Sequence, residues 1–447
     1  MIVMEFSRET YLNRLINKKN NSLIKVITGA RRCGKSYLMN TLFYRFLISS
    51  GVPEKNIIRF AFDNDEDLDL LDPFYPERPA KILQNNGLYT IDSRKFRAYI
   101  KSVTDENETY YLLLDEIQML DSFVGTLNAF LTHKNFDVYV TGSNSQMLSS
   151  EVDTKFRGRK SSLHMLPLSF SEFTDGMNCI PEEAWKQYIV TGGIPILYSL
   201  SPDERTQYLY ELCNEVYLKD ILGRNNIKDA DTLSELFTVL ASCVGAGVSP
   251  SSLERTFRSK RNVMVTDDTI NRYISCFEDA FIVSKAKKYN IKGKALIDSP
   301  YKVYFEDVGV RNAALNFRQI EETHLMENII YNELRYRGFN VTVGEVNVNE
   351  ITDNRDKNGN RIYRRKKLEI DFIAERAEEK YYIQSCLSLK DLDTKEREIR
   401  PFSSLNDSFK KIIVTKDGLS IRTNENGFMI VDVFDFLLHP EKLLNCG

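Results

Sequence analysis

Short apolar runs separated by amphipathic stretches mark the first third of the chain. Four of them, Leu23 to Thr28, Ile57 to Phe62, Tyr110 to Leu114 and Phe136 to Thr141, have the length of strands. Apolar runs of this length without strict alternation are typical of strands that a parallel sheet buries on both faces. Helix-like stretches lie between them, so the pattern predicts a parallel α/β domain over residues 1–165.

The pattern turns helical after residue 165. Residues 166–225 carry apolar positions at helical spacing, broken by the Gly-Gly-Ile-Pro turn at 192–195, and predict a small helical lid. Residues 226–318 carry three amphipathic helices followed by two short strands, Phe281 to Lys285 and Lys302 to Phe305. This order predicts a winged-helix domain.

Residues 319–447 show a third pattern, a helix followed by a basic hairpin and further strands. The order resembles the restriction-endonuclease-like α/β core, in which a helix acid, a hairpin Asp and a D/E-x-K pair hold Mg²⁺. Glu327 and Asp371 would fill the first two places, but the last pair falls on Gln384 and Cys386. Because Gln binds a hard cation poorly and Cys is no ammonium, we predict an inactive nuclease site.

Residues 29–36 read GARRCGKS, a full match to the phosphate-binding pattern G-x-x-x-x-G-K-[ST]. The two glycines let the loop curl so that backbone N–H groups face phosphates at the start of a helix. Lys35 would neutralise β- and γ-phosphate charge, and the Ser36 hydroxyl would hold Mg²⁺. The alternative is a chance match on a surface turn, which the strand before it and the helix after it disfavour. The residues expected to contact the nucleotide are Gly29, Ala30, Arg31, Arg32, Cys33, Gly34, Lys35, Ser36 and Tyr37.

Two carboxylates, Asp115 and Glu116, end the run that begins at Tyr110. Open α/β sheets bind ligands at the carboxyl edge of their strands, so Asp115 is expected to hold Mg²⁺ and Glu116 to polarise the attacking water. The alternative is an ordinary acidic strand end.

Two further catalytic candidates follow the third strand. Asn144, with Ser143 or Thr141 as substitutes, would contact the γ-phosphate or orient water, unless the segment is only a capped turn. Arg159, with Arg157 second, would reach the γ-phosphate within the chain or across a subunit contact. The alternative for the arginines is a basic loop that keeps the edge soluble.

The amino-acid composition is that of an ordinary globular protein and leaves the predicted fold unchanged. The chain has 447 residues, 42% hydrophobic and 28% charged, with a net charge of −3. Seven scattered cysteines and four histidines show no metal-ligand spacing and no disulfide framework. The sequence has no secretory signal pattern and no membrane-spanning run, so we expect a cytoplasmic protein that does not bind a membrane.

Two local clusters of basic residues indicate that the chain could bind nucleic acid. Cations gather in the predicted winged helix and along the hairpin, at Arg255, Arg258, Lys260, Arg261, Arg272, Lys285, Lys287 and Lys288, and at Arg355, Lys357, Arg361, Arg364, Arg365, Lys366 and Lys367. Both clusters are candidates for duplex DNA. A protein-docking module and a solvated hairpin are the alternatives.

The chain resembles the prokaryotic AAA-type ATPases with a C-terminal DUF4143 domain. The residues that carry the resemblance are the loop with its strand at 25–36, LLDEIQ at 113–118, VTGSN at 140–144, LPLSFSEF at 166–173, GGIP at 192–195 and YFEDVGVR at 304–311. The resemblance covers nearly the whole chain. It implies an α/β multidomain protein with a P-loop NTPase sheet, and ATP binding with hydrolysis. DUF4143 would then correspond to residues 319–447.

Three functions are compatible with these features. The first is a Mg-ATP-driven conformational switch. The second is a DNA-binding or DNA-processing protein with a degenerate nuclease-like domain, and the third is a nucleotide-dependent scaffold for a protein partner or a second copy of the chain.

Overall fold

Five parallel strands form the sheet of the N-terminal unit. The computed structural model describes residues 5–84, 89–142, 156, 158–225, 227–261, 264–355, 361–418, 421–424 and 426–444. Its first strands are β1 (Ile24–Thr28), β2 (Ile57–Ala61), β3 (Lys81–Leu83), β4 (Tyr89–Ile91), β5 (Tyr110–Asp115), β6 (Phe136–Gly142) and β7 (Lys160–His164). The spatial order is β2-β5-β6-β1-β7, while β3 and β4 form a separate hairpin. β1 therefore lies inside the sheet, and the loop that follows it opens at the carboxyl edge.

The four predicted strands are present within one or two residues of their expected bounds. β7 was not predicted because only Leu163 in it is a buried apolar residue. As the outermost strand it needs no continuous apolar run.

One helix continues from the phosphate-binding loop. It consists of Lys35–Tyr37, a π-helical stretch at Leu38–Phe43, and Tyr44–Ser49. Among the described residues, the other α-helices of this unit are Glu9–Ile16, Asp65–Asp69, Ser93–Val103 and Phe123–Phe130.

Helices dominate residues 170–279. They are Phe170–Met177, Pro181–Thr191, Pro202–Glu211, Lys219–Asn225, Ala230–Ser242, Pro250–Thr256 and Asp267–Asp279, with π-helical stretches at Leu212–Leu218 and Phe257–Arg261. Ser169 begins the first of them with a capping box, since its hydroxyl accepts from the Glu172 N–H at 3.2 Å and Glu172 accepts from the Ser169 N–H at 3.0 Å. The helices predicted as a lid are thus present.

A nine-stranded mixed sheet forms the rest of the molecule. Its strands are β8 (Gly247–Val248), β9 (Val283–Asn290), β10 (Ala295–Phe305), β11 (Asn340–Arg355), β12 (Arg361–Arg376), β13 (Glu379–Ser385), β14 (Lys410–Thr415), β15 (Arg422–Thr423) and β16 (Met429–Asp432). They lie in the order β15-β16-β14-β13-β12-β11-β9-β10-β8. The helices of this part are Val308–Ala314, Glu322–Tyr336, Leu392–Ser403, Val433–Leu438 and Pro440–Leu444.

The strands on the two sides of the predicted domain boundary at residue 318 belong to one continuous sheet. β9, expected as a wing strand, pairs in parallel with β11 of the C-terminal part, with Val343 opposite Lys288. Apolar residues from both sides, such as Phe305 and Phe372, belong to one buried cluster. The strand pairing joins the two predicted units, and no sequence pattern indicated it because β9 and β11 are distant in the chain.

Candidate nucleotide-binding site

The phosphate-binding loop curls against the end of β7. Gly29 has φ 149° and Gly34 has φ 102°, both in the region that favours glycine. A Cβ on Gly29 would lie 2.1 Å from the Met165 carbonyl oxygen. The Met165 N–H donates to the Thr28 carbonyl at 2.7 Å, which fixes this close approach. The first glycine of the motif is therefore required by both backbone conformation and space.

The Lys35 ammonium lies within the curve of the loop. Its Nζ donates to the carbonyl oxygens of Gly29 and Ala30, each at 2.9 Å, and the residue is 5% exposed. The Cys33 side chain is fully buried, and this burial raises the pKa of its thiol. Only the backbone of Cys33 is left for a nucleotide, whereas Lys35 is positioned beside any phosphate in the loop.

Asp115 is the centre of a small polar cluster at the same edge. The Thr141 hydroxyl donates to its carboxylate, and Asn40 Nδ2 donates at 3.2 Å. Burial raises the pKa of the Asp115 carboxyl, and the nearby Thr141 and Ser36 hydroxyls act against that shift. Ser36 and Asp115, predicted separately from two motifs, are thus neighbours at this edge of the sheet.

Asn40 was missed by the sequence reasoning. It lies four residues after Ser36 on the same helix, so the two side chains share a face. That spacing was the available signal.

Glu116 follows Asp115 in a left-handed conformation, with φ 51°. Its N–H donates to the Thr141 hydroxyl at 3.1 Å, and Gln118 Nε2 donates to its carboxylate. Asp63 lies just past β2. Burial raises the pKa of its carboxyl, and the negative charge of Glu116 raises it further. The conformation places Glu116 at the carboxyl edge beside Asp115.

The remaining catalytic candidates fall partly on residues that the structure does not describe. Asn144 and its substitute Ser143, like Arg157, lie outside the described residues. Thr141, the other substitute, is buried and its hydroxyl is committed to Asp115.

Arg159 is exposed at the amino end of β1, where its carbonyl accepts from the Ile24 N–H at 3.0 Å. The loop follows the opposite end of β1, roughly 16 Å away. The expectation that Arg159 reaches the phosphates within one chain is therefore corrected, because β7 runs parallel to β1 and begins at Lys160.

The lid contacts the loop through Arg31. Arg31 Nη2 lies 2.9 Å from Asp220 Oδ1, and the Tyr217 hydroxyl donates to the Arg31 carbonyl at 3.1 Å. Both partners come from helical segments about residues 212–225. Sequence reasoning missed them because nothing local links residues so far apart.

The candidate nuclease residues are also brought together. Lys302 of β10 lies 2.9 Å from Glu327 and 3.2 Å from Asp371. Gln384 accepts from the Asp371 N–H at 3.3 Å and donates to Glu398 at 2.6 Å. The described part of the chain contains no group of three or more His, Cys, Asp or Glu side chains arranged for a metal ion.

Several cations of the predicted DNA interface are neutralised by acids of the protein itself. The ion pairs are Arg258–Glu254, Lys285–Glu278, Lys287–Asp298, Lys288–Glu369, Lys366–Glu350 and Lys367–Glu345. Among the described residues, no helix is both long and apolar enough to cross a bilayer.

Two models of known domain families match parts of this chain. A model described as an AAA domain matches residues 21–174, and a model of a domain of unknown function, DUF8612, matches residues 182–321. The expected DUF4143 domain is not shown by these matches.

Relatives are found over the whole chain. An uncharacterized protein of Haemophilus influenzae is 30% identical over 439 residues, which cover 97% of this chain and 98% of that protein. An uncharacterized protein of Methanocaldococcus jannaschii is 26% identical over 435 residues, covering 92% and 85%. Among solved structures, the Aeropyrum pernix ORC2 protein in ADPNP and ADP complexes has a TM-score of 0.35 at 14% identity, covering 73% of this chain and 92% of that one. The chain therefore belongs to the family of the Haemophilus influenzae protein, and its residues 21–174 form an AAA-type P-loop domain.

Proposed function

We propose that this protein binds ATP with Mg²⁺ at the loop after β1 and hydrolyses it to ADP and phosphate. The observation that carries the proposal is the convergence of Lys35, Ser36 and Asp115 at one edge of the sheet. An ammonium inside a glycine-bent loop, a hydroxyl and a carboxylate are the groups that hold a triphosphate and its metal.

The donor set fits Mg²⁺. Ser36 and Asp115 present neighbouring hard oxygen atoms, and hard oxygen atoms are the ligands that this cation prefers. They would hold the ion, which neutralises phosphate charge when bound.

The chain's own residues would support in-line attack of water on the γ-phosphorus, with the bond to the ADP oxygen breaking. Lys35 would neutralise the β- and γ-phosphate oxygens, and Glu116 would orient the water and accept its proton. Asn144 remains a proposed contact to the γ-phosphate. Arg159 remains a candidate only across a subunit contact, since its exposed position on the opposite edge suits a second copy of the chain.

Nucleotide binding and release would drive a conformational switch through the lid. Arg31 belongs to the loop yet pairs with Asp220 of the lid. A phosphate bound at the loop would compete for the Arg31 guanidinium, so nucleotide would loosen this contact and its release would restore it.

The direct test is phosphate release from ATP. We expect Mg²⁺-dependent turnover by the natural protein, its loss in Lys35→Ala, and loss of turnover with retained ATP binding in Glu116→Gln. Lys101→Ala, an exposed lysine on the helix Ser93–Val103, is the matched control and should keep full activity. Equal turnover by the natural protein and Lys35→Ala would refute the proposal.

A second candidate function is binding of duplex DNA, which the exposed Arg364 and Arg365 of β12 favour. They stand next to Lys366 and Lys367, so four consecutive cations line one strand, two of them ion-paired. Replacing Arg364 and Arg365 by Ala should weaken duplex binding and lower its log–log salt slope by about 2. Arg94→Ala, exposed on the P-loop domain, is the control, and unchanged binding by the double variant would exclude this surface.

A further inference from the structure

One lysine lies among three carboxylates in the C-terminal sheet. Lys302 Nζ is 2.9 Å from Glu327 Oε1, 2.9 Å from Glu369 Oε1 and 3.2 Å from Asp371 Oδ1. Lys302 is 2% exposed, and it comes from β10 rather than from the helix or strand that carries the acids. The ammonium is thus surrounded by oxygen atoms on several sides.

Further hydrogen-bond donors hold the three carboxylates of this cluster in place. The Tyr304 hydroxyl donates to Glu327 at 2.6 Å, and the Ser385 N–H donates to Asp371 at 2.9 Å. Lys288 contacts the outer oxygen of Glu369 at 2.6 Å. Burial acts to lower the pKa of Lys302, and the surrounding acids outweigh it and raise that pKa. Lys302 therefore stays protonated.

Two of the three acids, Glu327 and Asp371, are those that the sequence pattern assigned to a divalent cation. Glu327 lies on the helix Glu322–Tyr336 and Asp371 on β12, as in a restriction-endonuclease-like core. At the remaining motif positions, Gln384 is neutral, and the Cys386 thiol donates to the Ser388 carbonyl at 3.0 Å. The chain thus lacks one acid and the ammonium of that motif, and its cluster contains an ammonium from another strand.

We propose that Lys302 is the resident cation of this cluster and stands where a divalent metal ion would be held by Glu327, Glu369 and Asp371. The ammonium neutralises the acids without metal, and it ties the β9–β10 hairpin to β12 across the predicted domain boundary. Removing Lys302 converts the cluster into a divalent-metal site made of hard oxygen ligands. The proposal is independent of nucleotide binding at the P-loop.

The test measures thermal unfolding of the full chain in EDTA and in Mn²⁺, without nucleotide. The natural protein should unfold at the same temperature in both. Lys302→Ala and the volume-conserving Lys302→Met should be destabilised in EDTA and should regain at least a few degrees in Mn²⁺. Adding Asp371→Asn to either variant should abolish that gain.

Lys288→Ala is the matched control, because it removes the other lysine that contacts Glu369 and should show no response to Mn²⁺. Two results would overturn the proposal. One is absence of a Mn²⁺ response in both Lys302 variants, including failure of both to fold in its presence. The other is Mn²⁺ stabilisation of the natural protein that Asp371→Asn removes.

Discussion

At the level of single residues, the candidate site depends on how the buried Asp115 is held. Its carboxylate receives hydrogen bonds from side chains of two different elements, the helix after the loop and β6. A buried carboxylate without such donors would be costly. Its neighbours therefore decide the direction in which Asp115 faces a bound nucleotide.

Thr141 joins both acidic residues, since its hydroxyl donates to Asp115 and accepts from the Glu116 N–H. Thr141→Val keeps the shape and removes both bonds. We expect turnover to fall by about tenfold to a hundredfold, because small misplacements of catalytic groups have effects of this size. Thr132→Val, at an exposed threonine, should leave steady-state phosphate release unchanged, and an active Thr141→Val would show that this hydroxyl does not position the acids.

Gly29 tests the geometry of the loop. Gly29→Ala places a Cβ 2.1 Å from the Met165 carbonyl, so we expect loss of ATP binding and a lower unfolding temperature. Gly51→Ala is the control, since Gly51 also has positive φ, 87°, but nothing within 4 Å of the added Cβ. It should cost only about 1 kcal/mol. Similar ATP affinity in both variants would mean that the close approach to Met165 is unimportant.

At the level of elements, the loop and the lid meet through a half-exposed ion pair. Arg31 is 39% exposed and Asp220 18%, so the pair contributes little to stability by itself. Its importance is positional, because Arg31 belongs to the phosphate-binding loop and contacts Asp220 of the lid.

Asp220→Asn should free Arg31 for the phosphates. We expect Mg-ATP affinity to rise by about threefold to tenfold, since the competing carboxylate charge is removed. Asp203→Asn, on the exposed start of the helix Pro202–Glu211, is the control for loss of one lid charge. Weaker ATP binding by Asp220→Asn, measured by calorimetry, would contradict the proposed competition.

The elements also show what sequence patterns can predict. The P-loop and its flanking strands were predictable because the motif and the apolar runs are local. The strand β7 was missed because four of its five residues are not buried apolar residues, and Lys302 and Asp220 were missed because their partners are distant in the chain. Pairing of β9 with β11 likewise depends on tertiary packing that no local pattern records.

At the level of the whole molecule, a polar chain connects the P-loop sheet to the C-terminal part. Thr28 Oγ1 lies 3.3 Å from His164 Nδ1, and His164 Nε2 lies 3.0 Å from Glu306. Glu306 is buried and also contacts Arg335 at 3.1 Å. Burial acts to raise the pKa of Glu306, and its two basic partners outweigh it and lower that pKa. The strand that leads into the loop is therefore joined to the C-terminal part of the molecule by a series of direct contacts.

Arg335→Met should be strongly destabilising, because it leaves the buried Glu306 with one basic partner. We expect a loss of about 3 kcal/mol in the free energy of unfolding. Arg400→Met, which breaks the exposed pair with Glu350, should cost under about 1 kcal/mol. Equal effects of the two substitutions in denaturant unfolding would show that Glu306 does not depend on Arg335.

The proposed function depends on the binding of a triphosphate by the loop after β1, beside an acid that holds a metal ion. The most direct measurement is calorimetric titration of the folded protein with ATP in the presence of Mg²⁺, repeated with Lys35→Ala. We expect saturable binding of one ATP per chain and at least about tenfold weaker binding by the variant, equivalent to about 1.4 kcal/mol. Absence of ATP binding to the folded natural protein, or equal affinity in Lys35→Ala, would contradict it.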